Sequence, residues 1–125
     1  MITALVAVGG GFGALCRYTL GGWVQRRTVS LRPWGTTAVN LSGTFLLGVF
    51  VGYLAGHSHL ATDLSPLTTG FLGGYTTFST WMVETLSLSS EGGRVGLRTG
   101  LMNLVIPTVA GLILAAAGYA LGSLA

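Results

Sequence analysis

The chain has 125 residues, half of them apolar and only 7% charged, with a formal net charge of +3 and a mean hydropathy of +0.72. A soluble domain carries roughly 25% charged residues, and six basic and three acidic side chains cannot cover a water-exposed surface. The composition therefore excludes a soluble enzyme, a nucleic-acid-binding protein and a disordered tail, and it predicts an integral membrane protein.

Four stretches that carry almost no charge follow one another along the chain. About 20 apolar residues cross a bilayer as a helix, and in lipid the backbone must satisfy its own hydrogen bonds. We therefore predict an all-α membrane protein, a single domain over 1–125, with spans at about 2–24, 35–56, 64–86 and 99–122. The connectors between these spans are short and leave no room for a soluble domain.

Glycine is abundant and recurs at intervals of four residues. In the second span Asn40, Thr44, Gly48, Gly52 and Gly56 fall on one stripe of the predicted helix. Small residues at this spacing let membrane helices approach closely, so helix packing is the simplest interpretation of the glycines. The same stripe holds Asn40, whose polar amide is costly inside a membrane unless something uses it.

The third span contains two adjacent glycines, Gly73 and Gly74, followed by the β-branched pair Thr76 and Thr77. Each glycine costs roughly 1 kcal/mol in a helix interior relative to alanine, so we predict that the helix breaks at Gly73–Thr77. Unwound backbone at membrane depth must be buried or line a wet cavity. Freed carbonyls there suit a small cation, and the amides that open the next half-helix favour an anion. A glycine kink that serves only packing is the alternative.

The side chains after the predicted break share a chemical theme. Phe78 and Trp81 are three residues apart and lie on one face, Ser79 and Thr80 add hydroxyl donors, and Asn40 can add an amide. Aromatic rings have a positive edge. Ring edges and neutral donors hold a small anion weakly at several points, which is what conduction requires. An ordinary aromatic contact between helices is the alternative.

Three segments of the chain resemble the Fluc-type, or CrcB-type, fluoride channels: Gly9–Tyr18, Gly35–Phe45 and Gly70–Thr80. The last two, in this order and spacing within a four-span chain, are the most specific. The resemblance implies an antiparallel dimer with two fluoride pores and one structural sodium ion at its centre. It implies a passive channel of the cell membrane that exports fluoride and lowers its toxicity in the cytoplasm, and not an enzyme.

The resemblance also implies roles for individual residues. Gly73 and Thr76 match the positions whose backbone carbonyls hold the sodium ion. Arg17 matches a structural or vestibular position of the first span, and Glu84 a position near the pore mouth. The implied pore residues are Asn40, Phe78, Ser79, Thr80 and Trp81.

This chain departs from the family pattern in the third and fourth spans. Trp81 stands where the family usually has a second pore phenylalanine, and its indole adds an N–H donor to the positive ring edge. The fourth span carries Asn103, Pro107 and Thr108 where a Tyr/Ser pattern is usual. Pro107 should kink this span, because proline removes a helix hydrogen bond.

The arginines are distributed asymmetrically. The first and third connectors face the same side of the membrane, and the opposite side has no Arg or Lys, so the positive-inside rule predicts that both termini face outwards. A chain that inserts in both orientations should show little bias. We therefore expect a heterodimer with an oppositely oriented paralogue; the alternative is a dual-topology homodimer. The connector arginines are Arg26, Arg27, Arg32, Arg94 and Arg98.

Two other classes of membrane protein compete with the channel. A small proton-coupled multidrug exporter also has four short spans, but it needs an acid deep in a span, and Glu84 lies at the end of the third. A membrane scaffold that transports nothing would share the glycine stripes, but it would need neither Asn40 nor a broken third span.

Overall fold

The computed structural model describes residues 1–28, 30, 32–90 and 92–125, so that Glu91, one of the three acids, lies outside the described part. No strand is present in these ranges, which agrees with the predicted all-α class. A 3-10 helix at Ser58–Leu60 and a π-helix at Pro66–Leu72 follow the second long helix. The α-helices are α1 (Ile2–Arg27), α2 (Trp34–Gly56), α3 (Gly73–Tyr75), α4 (Ser79–Ser90) and α5 (Gly93–Gly122).

Within the described residues, α1, α2 and α5 are long and apolar enough to cross a membrane. The 30 residues of α5 correspond to about 45 Å of helix, more than the roughly 30 Å of a hydrocarbon core. The turn before it uses Gly92 and Gly93, whose φ angles of 113° and 60° are in the left-handed region that favours glycine. The helix lengths and composition therefore agree with the predicted membrane protein, and the last of its helices is the longest.

The helices α2 and α5 pack through facing glycines. A Cβ added at Gly52 would collide with the backbone carbonyl of Tyr119, and one added at Gly118 would collide with the carbonyl of Phe45. Gly48 meets the backbone of α5 in the same way. Gly48 and Gly52 thus act as the packing interpretation expects, by bringing two helix backbones into contact, whereas Gly56 at the end of the stripe meets no atom of the described chain within 4 Å.

The helix α1 supports the segment that leads to α3. Gly13 packs on the backbone carbonyl of Phe71, and Gly74 packs on the carbonyl of Gly10. Tyr75 is buried, and its hydroxyl lies 2.9 Å from the Ser42 hydroxyl of α2. These contacts fix the end of α3 between α1 and α2.

The first and third connectors lie at one end of the helix bundle. Arg32 and Trp34 line a common pocket with Leu88 and Thr99, which are near the end of α4 and the start of α5. At the other end, Gly9 meets the carbonyl of Pro66. The arginines of both connectors are therefore at the same end, and both chain termini are at the opposite end.

Candidate functional site

The helical backbone is interrupted between α3 and α4. It runs through Gly73 and Gly74, ends at Tyr75, and resumes at Ser79. Thr76 has φ −84° and ψ 159°, which is extended. The two glycines that suggested a break are thus helical themselves, and the irregular backbone lies directly after them, at residues 76–78.

Asn40 of α2 brackets this interruption. Its Nδ2 donates to the Thr77 carbonyl at 2.8 Å, and its Oδ1 accepts from the Thr77 N–H, also at 2.8 Å. The structure gives neither backbone group of Thr77 another hydrogen-bond partner among the described residues, and a buried backbone group left unpaired costs about 1–3 kcal/mol. Because a primary amide has two N–H groups, this bracket leaves one of them for another acceptor. Asn40 therefore stabilises the interruption in addition to lining the groove beside it.

The four backbone carbonyls of residues 73–76 have lost their regular helical donors, and those of Gly73 and Thr76 are among them. In an α-helix the carbonyl of residue 73 accepts from the N–H of residue 77, and the carbonyl of residue 76 accepts from that of residue 80. Here the Thr77 N–H donates to Asn40, and the Thr80 N–H donates to the Thr77 hydroxyl at 3.4 Å. The carbonyls of Gly73 and Thr76 are the pair predicted to bind a cation, and their oxygens suit a small hard cation.

The surface around Gly73 is open. Gly73 is exposed, and no atom of the described chain lies within 4 Å of the place where its Cβ would be. The residue faces a groove of about 780 Å³ that is mostly apolar. We call it the central groove; its lining includes Asn40, Gly73, Thr76, Phe78 and Trp81.

The two aromatic rings that follow the interruption meet edge to face. The ring centroids of Phe78 and Trp81 are 6.0 Å apart at an interplanar angle of 82°. Phe78 is 70% exposed, so its ring borders the central groove freely. The indole Nε1 of Trp81 donates to the backbone carbonyl of Asn103 at 2.9 Å, so this donor points at α5 and not into the groove.

The first turn of α4 presents neutral donors. Ser79 and Thr80 are both exposed, and the Thr77 hydroxyl donates to that of Thr80 at 3.1 Å. The leading N–H groups of a helix have no intrahelical acceptor and carry a partial positive charge. The beginning of α4 is thus suited to a small anion.

A second cavity, of about 910 Å³, lies on the other side of the interruption. We call it the vestibule; its polar lining includes Arg17, Gln25, Arg26, Thr36, Thr80 and Glu84. Thr77 lines both the vestibule and the central groove. The interruption therefore lies at the wall that separates the two spaces.

Glu84 is held in the vestibule by a residue that the sequence analysis did not select. The Thr36 hydroxyl donates to Glu84 Oε1 at 2.7 Å. The other carboxylate oxygen, Oε2, is buried without a partner among the residues that the structure describes. Thr36 precedes Asn40 by four residues and so lies on the same face of α2. This spacing is the sequence feature that could have identified Thr36 as a residue of the site. Thr77 was named only as the end of the predicted break, and no sequence signal pairs it with Asn40.

Comparison with known proteins gives consistent matches over most of the chain. Residues 4–119 match the family model described as "CrcB-like protein, Camphor Resistance (CrcB)". A protein of Symbiobacterium thermophilum named fluoride-specific ion channel FluC 1 is 38% identical over 98% of both chains. Proteins named fluoride-specific ion channel FluC from Thermus thermophilus and Rhizobium leguminosarum are 43% and 46% identical, over 94% and 76% of this chain and 91% and 78% of theirs.

Proposed function

Because the chain belongs to the CrcB family, and its relatives are named fluoride-specific ion channels, we propose that it is a channel through which fluoride leaves the cell passively across the cell membrane. Such export lowers the toxicity of fluoride in the cytoplasm. The observation that carries this proposal is the interrupted backbone at residues 76–78, where exposed ring edges and a helix N-terminus meet between two cavities.

We take the segments on both sides of the interruption as one broken membrane span. The π-helix with α3 covers ten residues, Pro66 to Tyr75, and α4 covers twelve. Each is about 15–18 Å long as a helix, which is too short for a hydrocarbon core of about 30 Å. Together they cross the membrane, which puts Thr76 and Thr77 near its middle.

The charge distribution supports an anion pathway that begins in the vestibule. Arg26 lines this cavity in the last turn of α1, at the end of the bundle where the connector arginines lie, and Arg17 lines it further along α1 toward the middle of the bundle. Their charge raises the local concentration of an anion before it reaches the narrow part of the path. Glu84, held by Thr36 in the first turn of α2, lines the same cavity, where its carboxylate offsets this attraction and keeps the anion from being trapped.

At the narrow part, fluoride exchanges its water for neutral groups. The hydroxyls of Ser79 and Thr80 and the leading amides of α4 donate hydrogen bonds, Asn40 adds its second N–H, and the edges of Phe78 and Trp81 complete the passage. None of these groups is a cation, so each holds the ion weakly. Weak holding at several successive points allows the ion to enter and to leave.

The carbonyls of Gly73 and Thr76 would hold the structural sodium ion. Their oxygens lack their regular helical donors, which is the property that a cation site in a broken helix requires. When bound, the ion supplies fixed positive charge and braces the interrupted backbone. Two carbonyls from one chain are few for a hard cation, so the site favours an antiparallel pair in which a second chain supplies two more. The open central groove is the surface on which this second chain would lie.

The test is ion release from liposomes. The purified chain is reconstituted alone and with an oppositely oriented paralogue, and fluoride and chloride efflux are followed with ion-selective electrodes. We expect fluoride release to be much faster than chloride release in at least one combination. The channel assignment is refuted if fluoride is released no faster than chloride in every combination.

A pair of phenylalanine variants makes this test specific for the ring edge. Phe78→Ile keeps the apolar bulk but removes the ring, and we expect it to abolish fluoride efflux. Phe12 on α1 is 61% exposed, so Phe12→Ile is a matched control that should leave efflux unchanged. Equal efflux from both variants would remove the ring edge from the mechanism.

A further inference from the structure

Pro107 leaves a gap in the hydrogen bonding of α5. This helix runs without interruption from Gly93 to Gly122 with Pro107 inside it. Proline has no backbone N–H, and in a helix the N–H of residue 107 would donate to the carbonyl of Asn103. The Asn103 carbonyl therefore has no regular donor within its own helix, in a part of the chain where water is scarce.

The indole of Trp81 fills this gap from α4. Its Nε1–H donates to the Asn103 carbonyl at 2.9 Å. The side chain of Asn103 donates in turn to the Thr85 hydroxyl at 2.8 Å, and that hydroxyl donates to the Trp81 carbonyl, also at 2.8 Å. Trp81 and Thr85 are one turn apart on α4 and together hold Asn103 by both its backbone and its side chain.

We propose that Trp81 is a positioning residue that supplies the hydrogen bond removed by Pro107 and thereby fixes the orientation of the Phe78–Trp81 ring pair relative to α5. Trp81 and Pro107, two of the residues at which this chain departs from the pattern it otherwise resembles, are then one coupled feature. The part of this inference that concerns conduction rests on the proposed channel function, whereas the coupling itself does not.

This arrangement also determines which part of the indole an anion can meet. Because the indole N–H is directed at Asn103, Trp81 presents only C–H groups of its ring edge to the central groove. A phenylalanine at this position would present the same kind of edge. Phe78 packs against this fixed ring at 82°. A loosened indole would let both rings turn, and the path past Phe78 would lose its defined shape.

A double-mutant cycle tests the coupling. Trp81→Phe removes the indole N–H and leaves the Asn103 carbonyl unpaired, whereas Pro107→Ala gives α5 its own donor. We expect Trp81→Phe alone to lower the folded-to-unfolded ratio in detergent by roughly tenfold, the lower end of the cost of one unpaired buried group. Adding Pro107→Ala should recover most of this loss and most of the loss in fluoride efflux per reconstituted protein.

A second tryptophan provides the matched control. Trp23 on α1 is 50% exposed and lines neither of the cavities that Pro107 lines, so we expect the effects of Trp23→Phe and Pro107→Ala to be additive. If Trp81→Phe and Pro107→Ala are also additive in stability, the proposed coupling is wrong.

Nuclear magnetic resonance of the 15N-labelled indoles measures how fast each indole N–H exchanges with water. This rate depends on the hydrogen bond of the N–H, so it distinguishes the proposed role from packing alone. The Trp81 signal, assigned by its loss in Trp81→Phe, should exchange with water more slowly than the signals of Trp23 and Trp34, and Pro107→Ala should shift it. Exchange as fast as at the other two indoles would overturn the inference. If wild-type liposomes release no fluoride but the stability coupling and the slow exchange are found, the channel function fails and the positioning role stands.

Discussion

Among single residues, Asn40 has two tasks that a sequence cannot separate. A polar amide in the middle of a membrane helix signals that something uses it, and the sequence analysis gives it to a small anion as one of several neutral donors. The structure adds that the amide is bonded to the backbone of Thr77 through both its oxygen and its nitrogen. The partner of an amide across two helices depends on tertiary packing, so no spacing in the sequence could have named Thr77.

Replacement of Asn40 should therefore affect stability as well as conduction. Asn40→Ala leaves the N–H and the carbonyl of Thr77 unpaired, and we expect a loss of about 2 kcal/mol in unfolding free energy together with the loss of fluoride efflux. Thr44→Ala, one turn along the same stripe, is the matched control and should retain both. The measurements are thermal unfolding in detergent and efflux from liposomes. An Asn40→Ala protein of unchanged stability would show that the two hydrogen bonds between Asn40 and Thr77 do not stabilise the fold.

The side chain of Thr77 bears on the proposed sodium site. Its hydroxyl accepts the Thr80 N–H, which keeps that donor away from the Thr76 carbonyl. Thr77→Val has nearly the same shape without the hydroxyl, so the Thr80 N–H becomes free to bond to the carbonyl and compete with sodium. We expect sodium to raise the thermal unfolding temperature of the wild type and to raise that of Thr77→Val less.

The conservative variant Thr77→Ser provides the control, because it keeps the hydroxyl. We expect Thr77→Ser to show the same sodium-dependent rise in unfolding temperature as the wild type. The reference for each protein is its unfolding temperature with a bulky organic cation in place of sodium. A sodium response that is the same in Thr77→Val and the wild type would show that this hydroxyl does not protect the site.

On the scale of helices, the sequence could predict the spans but not all of their internal detail. The scarcity of charge predicts helices such as α1, α2 and α5, because lipid imposes helical structure on any apolar span. The glycine stripe predicts close packing, and α2 meets α5 through it. The local backbone of the third span is harder to predict. Gly73 and Gly74 are poor helix formers, yet both are helical, with Gly74 packed on the backbone of Gly10 in α1, and the extended residue is Thr76.

The packing of α2 on α5 gives a prediction with a control in the same stripe. A Cβ at Gly52 would collide with the Tyr119 carbonyl, whereas a Cβ at Gly56 would meet no atom of the described chain within 4 Å. Gly52→Ala should therefore lower the unfolding free energy by about 1–3 kcal/mol, the usual cost of overpacking, and Gly56→Ala should leave it nearly unchanged. Thermal unfolding of the two variants in the same detergent checks this; equal stability would contradict the close contact.

At the scale of the whole molecule, the arginines give the chain a direction. The structure places the first and third connectors at one end and both termini at the other, which agrees with the predicted order of four spans. The six arginines include five near that one end, and the connector at residues 57–65 has neither Arg nor Lys. The positive-inside rule retains such an end in the cytoplasm. A partner with the opposite orientation would then have to be a different chain.

Reporter fusions test this orientation directly. A reporter active only in the cytoplasm and one active only outside it are fused in turn to the C-terminus, and we expect activity only from the external reporter. A matched variant carries the same number of arginines but distributes them differently between the two ends. Arg94→Ala and Arg98→Ala remove two arginines from the connector end that is rich in them. His57→Arg and His59→Arg add two at the opposite end. The numbers of arginines at the two ends change from five and none to three and two, so we expect this variant to insert into the membrane in both orientations. Equal activity of the two reporters in the unmodified chain would instead support a dual-topology homodimer, and the requirement for a paralogue would fall.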